Sequence, residues 1–390
     1  MLDLGQLRKQ IKEMLKEKVE NKSLFLEKLK QAWVEFSKWE KDWEKIKNKV
    51  EEAKTSWLLA KLFEPFHTKV IAPERPKELT LIATDGSQIF PDYHEISSCY
   101  LINTGYIILH YGTGEKPLMA SEAVLYYRDR DLYEQFNGRR ISVNPSIVSA
   151  RRGLLEIEKL TSLLLNNKER KDILGLVDGT LILWTLEGSA PDFKDKILQT
   201  FLKNMDSLKE ANIPIAAYIS RPRTNDVINT LRVGLCPQLK VNCDKCPYKD
   251  DLFLPCSPIE GITDALLFNG ILKEKERSPL FESTSNILSQ YGEHKVLFFY
   301  IHTGQEIGRV EIPLWMGEEK KLLDLTHSVV YDQVKKGGGY PVALSEAHEK
   351  AVIRGPDREL FYKMISDSLI EEKIPLKMSA KKASKEIVRI

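Results

Sequence analysis

Two strand-like runs in this sequence close in the same way, with Asp, then Gly, then a small hydroxyl residue. Leu79 to Ser87 reads Leu-Thr-Leu-Ile-Ala-Thr-Asp-Gly-Ser, and Ile173 to Thr180 reads Ile-Leu-Gly-Leu-Val-Asp-Gly-Thr. The apolar runs predict buried strands, and Asp-Gly behind them predicts tight turns, because Gly accepts positive φ and Asp bonds its own backbone. Two such strands side by side would hold Asp85 and Asp178 rigidly at one sheet edge. Hard oxygen donors placed that way suit Mg²⁺ or Mn²⁺, and two such ions can assist phosphodiester hydrolysis. The plainer alternative is a pair of ordinary turns.

A third carboxylate is expected from the helix between the two strands. Arg151-Arg152-Gly153-Leu154-Leu155-Glu156-Ile157-Glu158 offers Glu156 and Glu158. Gly153 and Leu160 put Glu156 on the face that can approach the sheet, with Glu158 as the alternative. A further segment, Gly337-Gly338-Gly339-Tyr340-Pro341-Val342-Ala343-Leu344-Ser345-Glu346-Ala347-His348, pairs a flexible break with a helix start. Pro341 suits a first helical turn, Tyr340 sits at its entrance, and His348 lies two turns along. Such a His could ligate a metal or act as a general acid, or be an ordinary helix residue. Glu346, Glu349 and His327 compete with it as a fourth ligand.

At 390 residues the chain suits one large domain with appendages, or two. An apolar fraction of 42% with 29% charged residues describes a protein with a real core. The net charge of +2 excludes a global polycation, so nucleic-acid binding would rest on local patches. Arg139-Arg140, Arg151-Arg152, Lys168 to Lys171, and Arg221 with Arg223 are the candidates. Arg221 and Arg223 follow a strand expected at 213–219 and could grip a phosphate, or simply decorate a loop. No apolar run reaches the length of a membrane span, and the N-terminus lacks a signal peptide's basic start, which leads to a cytoplasmic expectation.

The elements that must carry these residues follow from periodicity. Residues 3–63 read as long helices whose tryptophans call for a surface, as a helical hairpin with its own core or as a dimerisation or partner-docking arm. Pro73-Glu74-Arg75-Pro76 marks a boundary. Strands are expected at 79–84, 95–102, 105–111 and 122–127, with a hairpin at Asn103-Thr104-Gly105 joining the middle pair. Helices at 146–168 and 191–210 alternate with strands at 173–178 and 213–219, then strands at 295–301 and 307–312 precede helices at 321–335 and 341–352. The chain so divides into a helical region 1–75, an α/β domain 76–355 with a Cys-rich insertion at about 221–290, and a helical tail 356–390.

That insertion holds Cys236, Cys243, Cys246 and Cys256, spaced C-x₆-C-x₂-C-x₉-C. Four close thiolates fit a structural Zn²⁺ or an iron–sulfur cluster, and the neighbouring prolines incline the reading toward [4Fe–4S]. Cys99 lies apart in a strand and reads as core.

The order of strand-Asp85-Gly-Ser, strand-Asp178-Gly-Thr-Leu-Ile and Tyr340-Pro-x-Ala-Leu-x-Glu-Ala-His348 resembles the NurA family of nucleases over most of residues 79–355. The resemblance implies an RNase H-like mixed sheet flanked by helices, a homodimer, and Mn²⁺-dependent cleavage of DNA. It implies single-strand endonuclease and 5′-to-3′ exonuclease activity beside a HerA-type hexameric ATPase in DNA end resection. Its metal carboxylates fall on Asp85, Asp178 and Glu156, and its Tyr and His on Tyr340 and His348. Two rivals stay open: a non-catalytic subunit that clamps DNA for a translocase, and a redox sensor built on the four cysteines.

Overall fold

The computed structural model describes residues 2–91, 99–136 and 138–374, and the chain divides into two compact units. One comprises Pro73–Tyr218, Ser289–His294 and Glu311–Ile390; the other comprises Met1–Ala72, Ile219–Leu288 and Lys295–Val310.

In the first unit a sheet runs in the order Leu118–Tyr126, Tyr100–Tyr111, Leu79–Ile89, Ile173–Asp178, Ile215–Ile219. The first three strands are antiparallel, and the last three run parallel. This is a mixed α/β sheet flanked by helices, as the sequence leads one to expect. The parallel strands are apolar on both faces because helices cover both. Helix Pro145–Asn166 starts on an N-cap, where Asn144 Oδ1 accepts the Ile147 N–H at 3.0 Å, with Pro145 in the first turn. It lies so close to the sheet that a Cβ at Gly175 would come within 2.7 Å of Leu164 Cδ1. Successive side chains of a strand alternate between faces. Thr84, Gly86 and Gly175 therefore look toward helix Pro145–Asn166, while Asp85 and Ser87 look toward helix Val342–Ala351.

Two turn expectations are corrected here. The strand from Leu79 does not stop at Asp85 but continues through Gly86 to Ile89. The hairpin expected at Asn103-Thr104-Gly105 is absent: Tyr100–Tyr111 is one strand, with residues 101–111 paired to 79–89 throughout. Both glycines are sites of close approach rather than turn residues, as a glycine inside a strand pattern can signal. Of the strand expected at 95–102, residues 95–98 lie outside the described residues, as do residues 375–390 of the tail, whose described part is helix Gly355–Glu371.

In the second unit, helices Lys22–Lys41 and Trp43–Glu51 share one hydrophobic cluster with helices Asp226–Leu235 and Asp264–Asn269. Phe36, Ile46, Leu231, Phe268 and Phe298 are among its members. The N-terminal helices thus do not pack on a private core, and the tryptophans find their surface on glycines of the later segment. A Cβ at Gly270 would strike the Trp33 indole, and one at Gly234 the Trp39 indole. Helix Leu4–Glu20, in contrast, buries no residue. Antiparallel strands Ala60–Leu62, Phe281–Ser283 and Val296–His302 complete the unit's ladder. Among the described residues, no helix is long and apolar enough to cross a membrane.

Candidate active site

The register of the parallel ladder decides where the two Asp residues sit. Thr84 pairs with Val177, which sets Asp85 level with Asp178, and Asp178 pairs with Tyr218. Residues at one level of a ladder share a face, so all three side chains lie on the side covered by helix Val342–Ala351. His348 Nδ1 is 2.7 Å from Asp85 Oδ2. The Tyr340 hydroxyl donates to the Asp178 carboxylate, and its ring meets Tyr218 edge-on at 5.9 Å. Burial raises the Asp178 carboxyl above its ordinary range, the Tyr340 bond opposes this, and the charge of Asp85 adds to it. Burial and the Asp178 bond push the Tyr340 phenol upward as well, so it stays a donor.

The helix can reach Asp85 because Gly105 stands opposite it in the neighbouring strand. A Cβ at Gly105 would lie 2.5 Å from the Ala347 carbonyl oxygen and 2.7 Å from the Lys350 carbonyl carbon. Ser87 and Asn103 side chains then donate to the Ala351 carbonyl, the latter at 2.7 Å. At the other end Gln333 accepts the Ala343 N–H at 3.0 Å and donates to the Tyr111 hydroxyl at 2.8 Å. These bonds fix the helix that carries His348.

Glu156 approaches from the opposite face. Its carbonyl accepts the Thr84 hydroxyl at 3.1 Å, and its side chain occupies the space that Gly86 leaves vacant. The residue is 9% exposed, and burial pushes its carboxyl up to about 8 despite the Arg152 guanidinium, with Asp85 and Asp178 adding to the rise. Glu158 is raised by burial alone and lines a groove with Thr161, Thr200 and Asn204. The carboxylate that feels both aspartates is therefore Glu156. Strand Ile173–Asp178 stops level with Asp85 while Leu79–Ile89 runs on, and the notch so formed lets groups from the two faces act on one another.

Residues 79–353 match the family model of the NurA domain, a span that includes every residue of this constellation. The chain belongs to the NurA family. It is similar to the crystal structure of the NurA nuclease from Sulfolobus solfataricus over 91% of this chain and 98% of that one, at 16% identity and a TM-score of 0.46. It is also similar to LC9-RNase H1, a type 1 RNase H with the type 2 active-site motif, over 40% of this chain and 69% of that one, at 8% identity and a TM-score of 0.22. None of the curated proteins compared with the chain matches it.

Within this NurA domain each carboxylate already has a partner: Asp85 has His348, Asp178 has Tyr340, and Glu156 has Arg152 at 3.0 Å. Among the described residues no three His, Cys, Asp or Glu side chains converge closely enough to cage an ion. The donor chemistry nonetheless fits a hard divalent cation, with the charges of Asp85 and Asp178 both raising the Glu156 carboxyl. Glu156 Oε1 is buried without a hydrogen bond, an acceptor in want of a donor or a cation.

The remaining candidates fall elsewhere. His327 is fully buried in helix Lys320–Lys336, Glu349 pairs with Arg354 at 2.9 Å, and Glu346 is partly exposed. Arg221 and Arg223 belong to the other unit, where Arg221 pairs with Glu306 at 3.1 Å. Cys236, Cys243, Cys246 and Cys256 form no disulfide, and the Cys243 thiol is raised by burial first and then by the charges of Cys256, Cys246 and Cys236, so the four thiols of the expected ligand set lie within reach of one another's charge. Their segment is also tied down by hydrogen bonds: Arg232 Nε donates to the Cys256 carbonyl at 3.0 Å, and Cys243 N donates to Lys54 O at 2.9 Å. Sequence reading missed Gly105, the Arg152–Glu156 pair and the buried Glu311. Glu311 accepts the Thr180 hydroxyl at 2.6 Å and the Leu181 N–H at 3.0 Å, fixing the turn after Asp178. Nothing in the local sequence around Glu311 announces that role.

Proposed function

We propose that this protein is a divalent-metal-dependent nuclease that hydrolyses phosphodiester bonds in DNA, with Asp85, Glu156 and Asp178 holding Mn²⁺ or Mg²⁺. The observation that carries the reading is the buried, hydrogen-bond-deficient Glu156 carboxylate raised by both Asp85 and Asp178 at the sheet notch. Family membership supports a nuclease independently. A bound divalent ion supplies positive charge to the phosphoryl oxygens and makes water more acidic.

The chain's own groups do the rest. Tyr340 holds Asp178 in place through its hydroxyl. With Nδ1–H donating to Asp85, His348 presents Nε2 outward from a side chain that is 58% exposed, where it can pass a proton at an attacking or departing oxygen. Single-strand endonuclease and 5′-to-3′ exonuclease action, a homodimer, and a HerA-type ATPase as partner in end resection complete the proposal, and rest on the family resemblance.

The test is degradation of end-labelled single-stranded DNA with and without Mn²⁺. Asp85→Ala should lose roughly 10²–10³-fold or more in rate while keeping the wild-type melting temperature. Full activity in that variant would sink the assignment. A wild-type protein that binds DNA without cutting it at any Mn²⁺ concentration would instead favour the clamp.

A further inference from the structure

Arg151 and Arg152 are adjacent in sequence and have different surroundings. Arg151 has a side chain 14% exposed and is firmly held: it donates to the Tyr100 hydroxyl, to Glu134, and to the Asp131 carbonyl at 2.6 Å. It locks the helix to its neighbours. Arg152 has a side chain 34% exposed and is held loosely. Its Nη1 donates to Gln88 Oε1 at 3.0 Å, a neutral amide that orients the group without neutralising it. Its Nε lies 3.0 Å from Glu156 Oε1, yet neither atom makes a hydrogen bond. This is an ion pair at the right distance with the wrong alignment.

Beside it stand three carboxylates. A polyanionic strand nearing Asp85, Glu156 and Asp178 meets like charge, and a guanidinium at that point offsets it. The planar fork of Arg matches two oxygens of one phosphate, whereas a buried single carboxylate oxygen at a poor angle uses little of it. The Arg152 stem crosses Gly86 beside Glu156 Oε1, so the missing side chain there is what lets the guanidinium lie at the notch.

We propose that Arg152 is the phosphate-holding residue of this site, parked on Glu156 in the ligand-free protein and turned onto a backbone phosphate when a nucleic-acid strand arrives. The inference rests on the nuclease reading, since it assigns that site a nucleic-acid phosphate. Gln88 keeps the guanidinium anchored during the turn, so the move is a swing about one fixed hydrogen bond. Arg151, held by Tyr100, Asp131 and Glu134, is the internal control.

Binding of a fluorescent single-stranded oligonucleotide, in EDTA so that no cleavage intervenes, tests this across a salt series. Arg152→Ala should weaken binding and shrink the slope of log affinity against log salt by about 0.7, the contribution of one phosphate on a single strand. Arg152→Lys should keep the slope, because the charge is retained, but lose cleavage rate in Mn²⁺, because the fork is gone. Arg151→Ala should lower the melting temperature and leave the slope unchanged. An unchanged slope in Arg152→Ala, or no EDTA-stable binding by the wild type, overturns the proposal and leaves Arg152 as a counter-ion of Glu156 alone. If the wild type binds with the expected slopes but never cuts, the nuclease reading fails while the phosphate contact stands.

Discussion

Asp85-Gly86 and Asp178-Gly179 share a dipeptide and a preceding apolar strand, yet their glycines serve different ends. At Asp178-Gly179 the strand stops: Gly179 has φ +93°, donates its N–H to the Tyr218 carbonyl at 3.0 Å, and would have an added Cβ in open space. At Asp85-Gly86 the strand runs on to Ile89, and an added Cβ would lie 2.7 Å from Arg152 Cγ and nearer still to Glu156 Oε1. One glycine is needed for its backbone conformation, the other for the volume it does not fill. Identical local sequence therefore encodes a turn in one place and an approach path for a third carboxylate in the other.

The sharpest way to break this comparison is Gly86→Ala. Glu156 Oε1 is the end of a flexible side chain and must move, whereas Arg152 Cγ lies close to its own backbone, so the variant should also melt somewhat lower than wild type. Displacement of a catalytic group by about 1 Å can cost roughly 10²-fold in rate, and that is the loss expected in Mn²⁺-dependent cleavage. Wild-type rates in Gly86→Ala would mean that Glu156 is not needed where it lies.

Glu156→Gln sharpens the same region through pH. The Glu156 carboxyl is raised in the folded chain to about 8, so the folded state prefers it protonated. Its stabilising contribution is fully present below the unfolded carboxyl's ordinary range and is lost as pH rises toward 8. Chelator-treated wild type should accordingly melt lower at pH 9 than at pH 6 by more than Glu156→Gln does. Parallel melting profiles for the two proteins would contradict the buried-acid assignment.

The smallest expected effect is at Gly179→Ala. No neighbour is struck, and the left-handed backbone costs about 1–2 kcal/mol with a Cβ. The unfolding free energy read from urea curves should fall by that amount while cleavage stays within a few-fold of wild type. A Gly179→Ala variant that is stable but inactive would reverse the roles given to the two glycines.

Much of the site could be read in advance because it follows from periodicity. The apolar runs before Asp85 and Asp178, the Pro145 and Pro341 helix starts, and the inward face of Glu156 are all local signals. What could not be read was the meaning of glycine. Asn103-Thr104-Gly105 and Asp85-Gly86 satisfy turn statistics as well as real turns do, and only the helices laid across them, from residues 145–166 and 342–351, reveal them as contact points. The tryptophans of residues 33 and 39 show the same limit: a need for cover was visible, but not that Gly270 and Gly234 would provide it. Arg152 resembled Arg151 as a basic neighbour, because side-chain direction depends on partners more than 15 residues away.

Asp85 and the His348 that touches it are separated by 263 positions. During synthesis from the N-terminus, every strand of the sheet, with Asp85, Glu156 and Asp178, leaves the ribosome before the helix that completes the site. A growing chain can thus fold most of its NurA domain while His348, Tyr340 and the carbonyl that Ser87 and Asn103 require are still missing. Under the proposed function, the order of the sequence acts as a timing device, and the site is assembled in full only once the helix at 342–351 has followed every strand of the sheet out.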